Sequence, residues 1–346
     1  MRAAVKATDN VELVLMDIPI PAPRPSEALI KVRAAGLCGS DIAIRNNTFM
    51  GRHGRVKMPI IPGHEFVGEV AEVGSQVSKV KIGERVITSC ILGCGECYAC
   101  RTGALNRCRR WDHIGIDSPG GFAEYVCVDQ DILFQVPDFI PDEHAAILEP
   151  ITTGIRSVRT NSIVPGSVIA VFGPGPFGVS IMQAMRATSP IKLIMVGMSR
   201  DTERLAIARE LGATDTLLFD REDVVSRINE MTNGRGADYV VEATGNIEAV
   251  AAATDAAAAG ALILMGGSGF GGQEIRIKPW NFVRDEKQLK GLQGLEWADY
   301  LLAVNMLEKG LFRADKLVSG VYGLEDINEA CRVAEEKKVM KLIIRP

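Results

Sequence analysis

Four cysteines crowd one short stretch, Cys94-Gly-Glu-Cys97-Tyr-Ala-Cys100 and then Cys108, in the spacing C-x2-C-x2-C-x7-C. Four thiolates on one loop are what a closed tetrahedral zinc site needs, and with no position left for water such a site pins a loop rather than activating solvent. Gly93 and Gly95 let the chain bend around the ion. An iron–sulfur cluster takes the same soft ligands and is the rival occupant. Cys90, Cys127 and Cys331 lie outside the spacing and read as core or near-surface thiols. Two further boxes, Cys38-Gly39-Ser40-Asp41 and Gly63-His64-Glu65-Phe66-Val67-Gly68, each set potential ligands beside glycines. Taken singly, either could equally be a small buried thiol or an ordinary His–Glu pair.

A fourth motif, Gly173-Pro-Gly175-Pro176-Phe177-Gly178, follows the apolar run Val168–Phe172 and opens a helical stretch. Strand, glycine turn and helix are the order that a dinucleotide pyrophosphate requires. Gly173 serves the tight turn, Gly175 the approach of backbone to phosphate and Gly178 the close helix–sheet packing, with the helix N-terminus supplying partial positive charge. About 20 positions on, an acid would accept the ribose hydroxyls of NAD. The chain instead reads Val196-Gly-Met-Ser199-Arg200-Asp201 there. A small hydroxyl followed by a guanidinium suits a 2′-phosphate, so NADP is expected over NAD, with Asp201 keeping NAD open. Thr244 and Gly266 follow later strands and are expected along the same cofactor crevice.

The elements that must hold these motifs fall into two kinds. The first 150 or so residues read as short strands punctuated by Gly and Pro: Arg2–Lys6, Glu27–Ala35, Phe66–Val73, Arg85–Thr88 and Ala123–Val128. From Gly166 strands alternate with helical stretches as far as Ala261–Met265, the pattern of a doubly wound parallel sheet. After about Gly291 that rhythm breaks, with helices expected at Ala298–Glu308 and Ile327–Lys337 and strands near Leu317–Tyr322 and Lys341–Ile344. A length of 346 residues fits two domains, and 47% hydrophobic with 24% charged residues describes an ordinary globular chain. The net charge of −4 gives no reason to expect a nucleic-acid partner. No apolar run of membrane-spanning length and no signal-peptide core is present, so a cytoplasmic setting is expected, and eight cysteines there argue against disulfides.

Gly63-His64-Glu65-x2-Gly68-x5-Gly74-x2-Val77, with the Cys38 box and the four-cysteine lobe in the same order, resembles the zinc-containing medium-chain alcohol dehydrogenases. The likeness covers essentially the whole chain and points to the polyol, sorbitol and threonine dehydrogenase branch. It implies a GroES-like β-rich catalytic domain, residues 1–151 and 290–346 with the zinc lobe at 90–110, interrupted by a Rossmann domain at 152–289. It implies a catalytic zinc held by Cys38, His64 and a carboxylate, either Glu65 or, in Leu148-Glu149-Pro150, Glu149. Ser40 matches the family's proton-relay position, Asp41 would orient His64, Thr153 matches a position near the nicotinamide, and Ser199 falls where the family's pattern has its acid. The reaction implied is reversible hydride transfer between NAD(P) and a secondary alcohol, with two zinc ions per chain and a homo-oligomer, tetramer or dimer. Many relatives carry a His three residues after Ser40, where this chain has Ala43. The proton must then leave through water, the cofactor ribose or a side chain such as His53, His113 or Glu65. Substrate contacts are expected from Arg45–Phe49, Trp111–Ile116 and Gly294–Trp297, which would suit a polyol or sugar-like alcohol; polyol-specific members commonly carry an Arg in the last stretch, where this chain has Leu295-Glu296-Trp297. Two other readings are a zinc- and nucleotide-binding scaffold without turnover and a zinc-independent quinone-type reductase.

Overall fold

Glu27–Gly36 carries a run of apolar residues broken only by Lys31 and Arg33, and it forms a ten-residue strand with those two side chains turned outward. Glu65–Val73 pairs with it antiparallel on one side, Gly36 opposite Glu65. Tyr125–Asp129 and Lys341–Arg345 also pair antiparallel with it. In the computed structural model, which describes residues 1–267, 269–270, 272–294 and 296–346, the sheet built around this strand runs Leu133–Gln135, Arg85–Thr88, Glu65–Val73, Glu27–Gly36, Lys341–Arg345, Val318–Gly323. Its core gathers Ile30, Phe66, Val70, Phe122, Val126 and Ile344, all buried.

The break in rhythm after Gly291 has a topological cause. Val318–Gly323 and Lys341–Arg345 lie parallel to each other and return to the first sheet, with the helix Ile327–Glu335 between them. Met1–Glu149, Gly294–Glu308 and Ala314–Pro346 form one compact unit, and Pro150–Gln293 with Lys309–Arg313 form the other.

The second unit is built on parallel strands in the order Asp215–Leu218, Lys192–Gly197, Val168–Phe172, Ala237–Glu242, Ala257–Met265, Gln288–Gly291. Strand order reverses beside Val168–Phe172, which is the switch point where a doubly wound sheet takes its ligand. Val168–Phe172 is buried along its whole length, as a central parallel strand covered on both faces must be. Gln288–Gly291 ends the sheet and is exposed at every residue. The sequence pattern missed that edge strand and the helices Leu148–Arg159 and Pro279–Asp285. Leu148–Arg159 carries Pro150 in its first turn and Gly154 within it, Pro279–Asp285 is short and opens on a proline, and the edge strand buries no face that would give it a readable period. Leu295 lies outside the described residues, so the Gly294–Trp297 stretch is described only in part.

Candidate active site and metal centres

Cys38 ends an extended segment and caps the helix Gly39–Arg45, while His64 directly precedes the strand Glu65–Val73 that Glu65 opens. Gly63, at φ +94°, makes the turn into that strand, and a Cβ there would strike the Phe122 ring at 2.9 Å. One ligand atom each from Cys38, His64 and Glu65 lies within 4.8 Å of the others. Glu149 stands outside this set, and its Oε1 takes a contact from the Cys90 thiol at 3.6 Å.

Asp41 is fully buried and braces the cluster. Its carboxylate accepts from the Cys38 and Gly63 amides at 2.9 and 3.1 Å and stands 3.7 Å from His64 Nδ1. Burial lowers the His64 pKa, but the Asp41 carboxylate and the Cys38 sulfur outweigh it and push it up to about 10. Burial pushes the Asp41 carboxyl up. Glu65 carries a partner that the sequence did not announce: Lys341 Nζ reaches its two carboxylate oxygens at 2.5 and 2.6 Å, both side chains buried. Gly36 makes room for this pair, since a Cβ there would sit 2.6 Å from Glu65 Oε2.

The donor set fits a metal. A soft sulfur, an imidazole and a hard carboxylate converge, and the buried Ser40 Oγ, two residues from Cys38, has no hydrogen-bond partner among the described residues. The four lobe thiols form a second set, each sulfur within 4.8 Å of the others. All eight cysteines are free. The Cys94 and Arg110 amides donate to Cys108 Sγ at 3.5 and 3.3 Å, the pattern of N–H groups around a thiolate cluster. Burial pushes Cys127 and Cys331 up to about 11 and about 12, away from the lowered range of reactive thiolates.

In the second unit Gly173 adopts φ +105°, and Gly178 packs so closely that a Cβ would meet the Gly173 carbonyl at 1.9 Å. Around Gly175 a Cβ would meet nothing within 4 Å, which leaves the backbone open for a pyrophosphate at the N-terminus of the helix Pro176–Arg186. Thr244 packs its methyl against Gly173, and Gly266 lies against the Phe177 ring, so these four predicted residues surround one turn. Thr153 is buried within the helix Leu148–Arg159. Ser199 donates from its amide to Asp220 Oδ1 at 2.7 Å and from its hydroxyl to Oδ2. Asp201 is buried and accepts from the Met198 amide at 2.9 Å, closing its own turn. Arg200 is exposed.

Of the expected substrate stretches, Arg45 is corrected. It is buried and turned to Glu335, 3.5 Å away, because its helix packs this face against the C-terminal helix rather than leaving it to a ligand. Trp111–Ile116 behaves otherwise: the His113 ring meets His64 edge-on at 5.2 Å, and Trp111 lies 6.3 Å from His113. His113 Nδ1 donates to the Ile114 carbonyl at 2.8 Å, and burial, with the neighbouring His64 charge, pushes its pKa down to about 3. Among the described residues no helix is long and apolar enough to cross a membrane.

Residues 24–138 match the Alcohol dehydrogenase GroES-like domain, and residues 177–309 match the Zinc-binding dehydrogenase family. Sorbitol dehydrogenase of Bacillus subtilis is 31% identical, covering 100% of this chain and 97% of its own. D-arabitol-phosphate dehydrogenase of Enterococcus avium is 30% identical, covering 96% and 94%. The solved structure of a zinc-binding dehydrogenase from Sinorhizobium meliloti bound to NADP superposes with a TM-score of 0.90 at 28% identity, covering 100% of this chain and 99% of that one. The chain therefore belongs to the zinc-containing medium-chain alcohol dehydrogenases, zinc-dependent oxidoreductases with a GroES-like and a Rossmann domain. Neither the inactive scaffold nor the zinc-independent reductase is favoured by these relationships.

Proposed function

We propose that the chain oxidises a secondary alcohol of the polyol type reversibly to a ketone, with two zinc ions per chain and NADP(H) as the preferred cofactor. The observation that carries this reading is the convergence of Cys38, His64 and Glu65 within 4.8 Å, separate from the four-thiol lobe. Cys38, His64 and Glu65 would hold the catalytic zinc, with Glu149 as an outer carboxylate, and Cys94, Cys97, Cys100 and Cys108 a structural zinc. Held by Cys38, His64 and Glu65, zinc would supply Lewis acidity that favours ionisation of an alcohol, and a bound nicotinamide would supply the hydride acceptor or donor.

The remaining work falls to the chain. Asp41 orients the His64 ring from behind. Ser40 Oγ, buried and without a protein partner, takes the alcohol proton and passes it to water or the ribose, since Ala43 offers no imidazole. Gly173, Gly175, Pro176, Phe177 and Gly178 cradle the pyrophosphate, with Thr244, Gly266 and Thr153 along the cofactor.

The preference for NADP rests on Arg200, exposed beside Ser199, and on Asp201 being used up in its own turn. Asp220, bonded to Ser199, is the observation that favours NAD. Arg200→Ala should lower kcat/KM for NADP roughly tenfold with little change for NAD, and an equal loss with both cofactors would refute the assignment. Gln288–Gly291, an exposed sheet edge beside Trp280 and Val283 (68% and 70% exposed), supports a homo-oligomer formed through that edge. The eight free cysteines accord with a cytoplasmic setting.

Zinc analysis tests the central claim. The native protein should carry two zinc ions per chain, and Cys38→Ser should retain one, stay folded and lose turnover by about 10³-fold or more. A single zinc that survives Cys38→Ser would show that the converging trio holds no metal.

A further inference from the structure

A hairpin beside the candidate active site carries unpaired positive charge. Between Asp41 and Glu65 the sequence contains no acid, yet the segment from Gly51 to Met58 includes Arg52, Arg55 and Lys57. Met50–Gly51 and Gly54–Arg55 pair antiparallel and set Arg52 at the turn. Its guanidinium lies over the buried Trp111 ring, Cζ 3.9 Å from the centroid, and makes no hydrogen bond or ion pair among the described residues. The same holds for Arg55 and Lys57. The nearest acid in sequence to Trp111, Asp112, lines a separate cavity of about 210 Å³ together with Arg24 and Glu27. Trp111 also fixes the hairpin through its carbonyl, 3.0 Å from His53 Nε2. From Trp111 the ring contacts run through His113 to His64.

A stacked guanidinium has lost its conformational freedom before any ligand arrives, while its N–H edge stays available. That is the arrangement a bidentate oxyanion contact requires, and the preorganisation favours binding. We infer that Arg52, stacked on Trp111, receives an oxyanion on the substrate, which is therefore a polyol phosphomonoester rather than a neutral polyol. Two ring contacts separate Arg52 from His64, so the phosphate sits several carbons from the reacting carbinol. Arg55 shares a small cavity with Asp9, but Arg52, Arg55 and Lys57 still leave the hairpin and its exit net positive, which suits a dianion better than a carboxylate. This inference rests on the proposed dehydrogenase site.

The test compares D-arabitol with a D-arabitol phosphate, and adds L-threonine as a carboxylate probe, on the zinc-loaded protein and on Arg52→Ala and Arg52→Lys. For the native protein, kcat/KM should favour the phosphate ester over the free polyol by roughly 10- to 100-fold. Arg52→Ala should collapse that ratio towards one, chiefly through KM, and Arg52→Lys should restore part of it. Calorimetric titration with the same ester reads binding without turnover and should show the same loss. A ratio near one in the native protein, or ester binding indifferent to Arg52→Ala, overturns the inference, as does an Arg52-dependent preference for threonine. Should no alcohol be turned over, the dehydrogenase reading fails, and the titration still decides the role of Arg52.

Discussion

The two candidate metal centres of the first unit are built on opposite plans. The lobe draws its four sulfurs from a single loop, Cys94 to Cys108, with three of them half-exposed, and its bracing is backbone N–H groups from the same loop. The Cys38, His64 and Glu65 set draws on two segments, and its bracing comes from Asp41 and from Lys341, which is 276 residues away from Glu65 in sequence. A loop site needs only itself and the metal to form, whereas a site assembled from distant segments needs the sheet first. The lobe should therefore depend on zinc for its shape, and the other set should keep its shape through charge pairing.

The largest effect expected from this contrast is at Lys341. Lys341→Met leaves the Glu65 carboxylate buried without its cation, which should cost about 3–5 kcal/mol in unfolding free energy. Chemical denaturation measures this, and Lys341→Met with Glu65→Gln together should recover much of the loss. A double variant no better than the single one would break the pairing argument. Cys97→Ser should act differently, abolishing one zinc and making the lobe susceptible to proteolysis between Gly93 and Arg110, with the sheet's cooperative transition lowered by a smaller amount, about 1–3 kcal/mol. Limited digestion with and without added zinc reads that outcome.

The smallest effect is a pH dependence. In the metal-free protein His64 is held protonated, with its pKa raised to about 10. Metal can take the imidazole only when that proton leaves, so zinc affinity at this set should rise with pH, about tenfold per unit for one proton, and level off near pH 10. The lobe adds its own proton from Cys100, pushed up to about 12 by burial, while Cys94, lowered to about 6 by hydrogen bonds to its sulfur, is already ionised at neutral pH. Proton release on adding zinc to metal-free Cys38→Ser and Cys97→Ser separates the two contributions, and a pH-independent affinity would contradict the raised His64 value.

What could be read from sequence follows the same division. The lobe and the glycine turn at Gly173 to Gly178 are local, so residue type and spacing convey which residues come together there. The resemblance supplied Cys38 and His64, but sequence spacing does not choose between Glu65 and Glu149. Lys341 and Asp220 were not legible. Lys341 reaches Glu65 because Lys341–Arg345 lies beside Glu27–Gly36, and Asp220 reaches Ser199 because it follows the strand next to Lys192–Gly197. Neither neighbour leaves a trace in local pattern. Arg45 was misjudged for the related reason that a polar residue on a short helix does not reveal which face is covered. The stacking of Arg52 on Trp111 joins two loops that spacing alone does not connect.

The Lys341 contact also sets a clock. Synthesis delivers Cys94 to Cys108 early, and the lobe can close on an ion while most of the chain has yet to emerge. Glu65 waits for its cation until more than two hundred further residues, including the whole parallel sheet, have been made. On a growing chain the two candidate centres assemble in sequence, and an incomplete polypeptide can bring its four thiols together while Glu65 still lacks its cation.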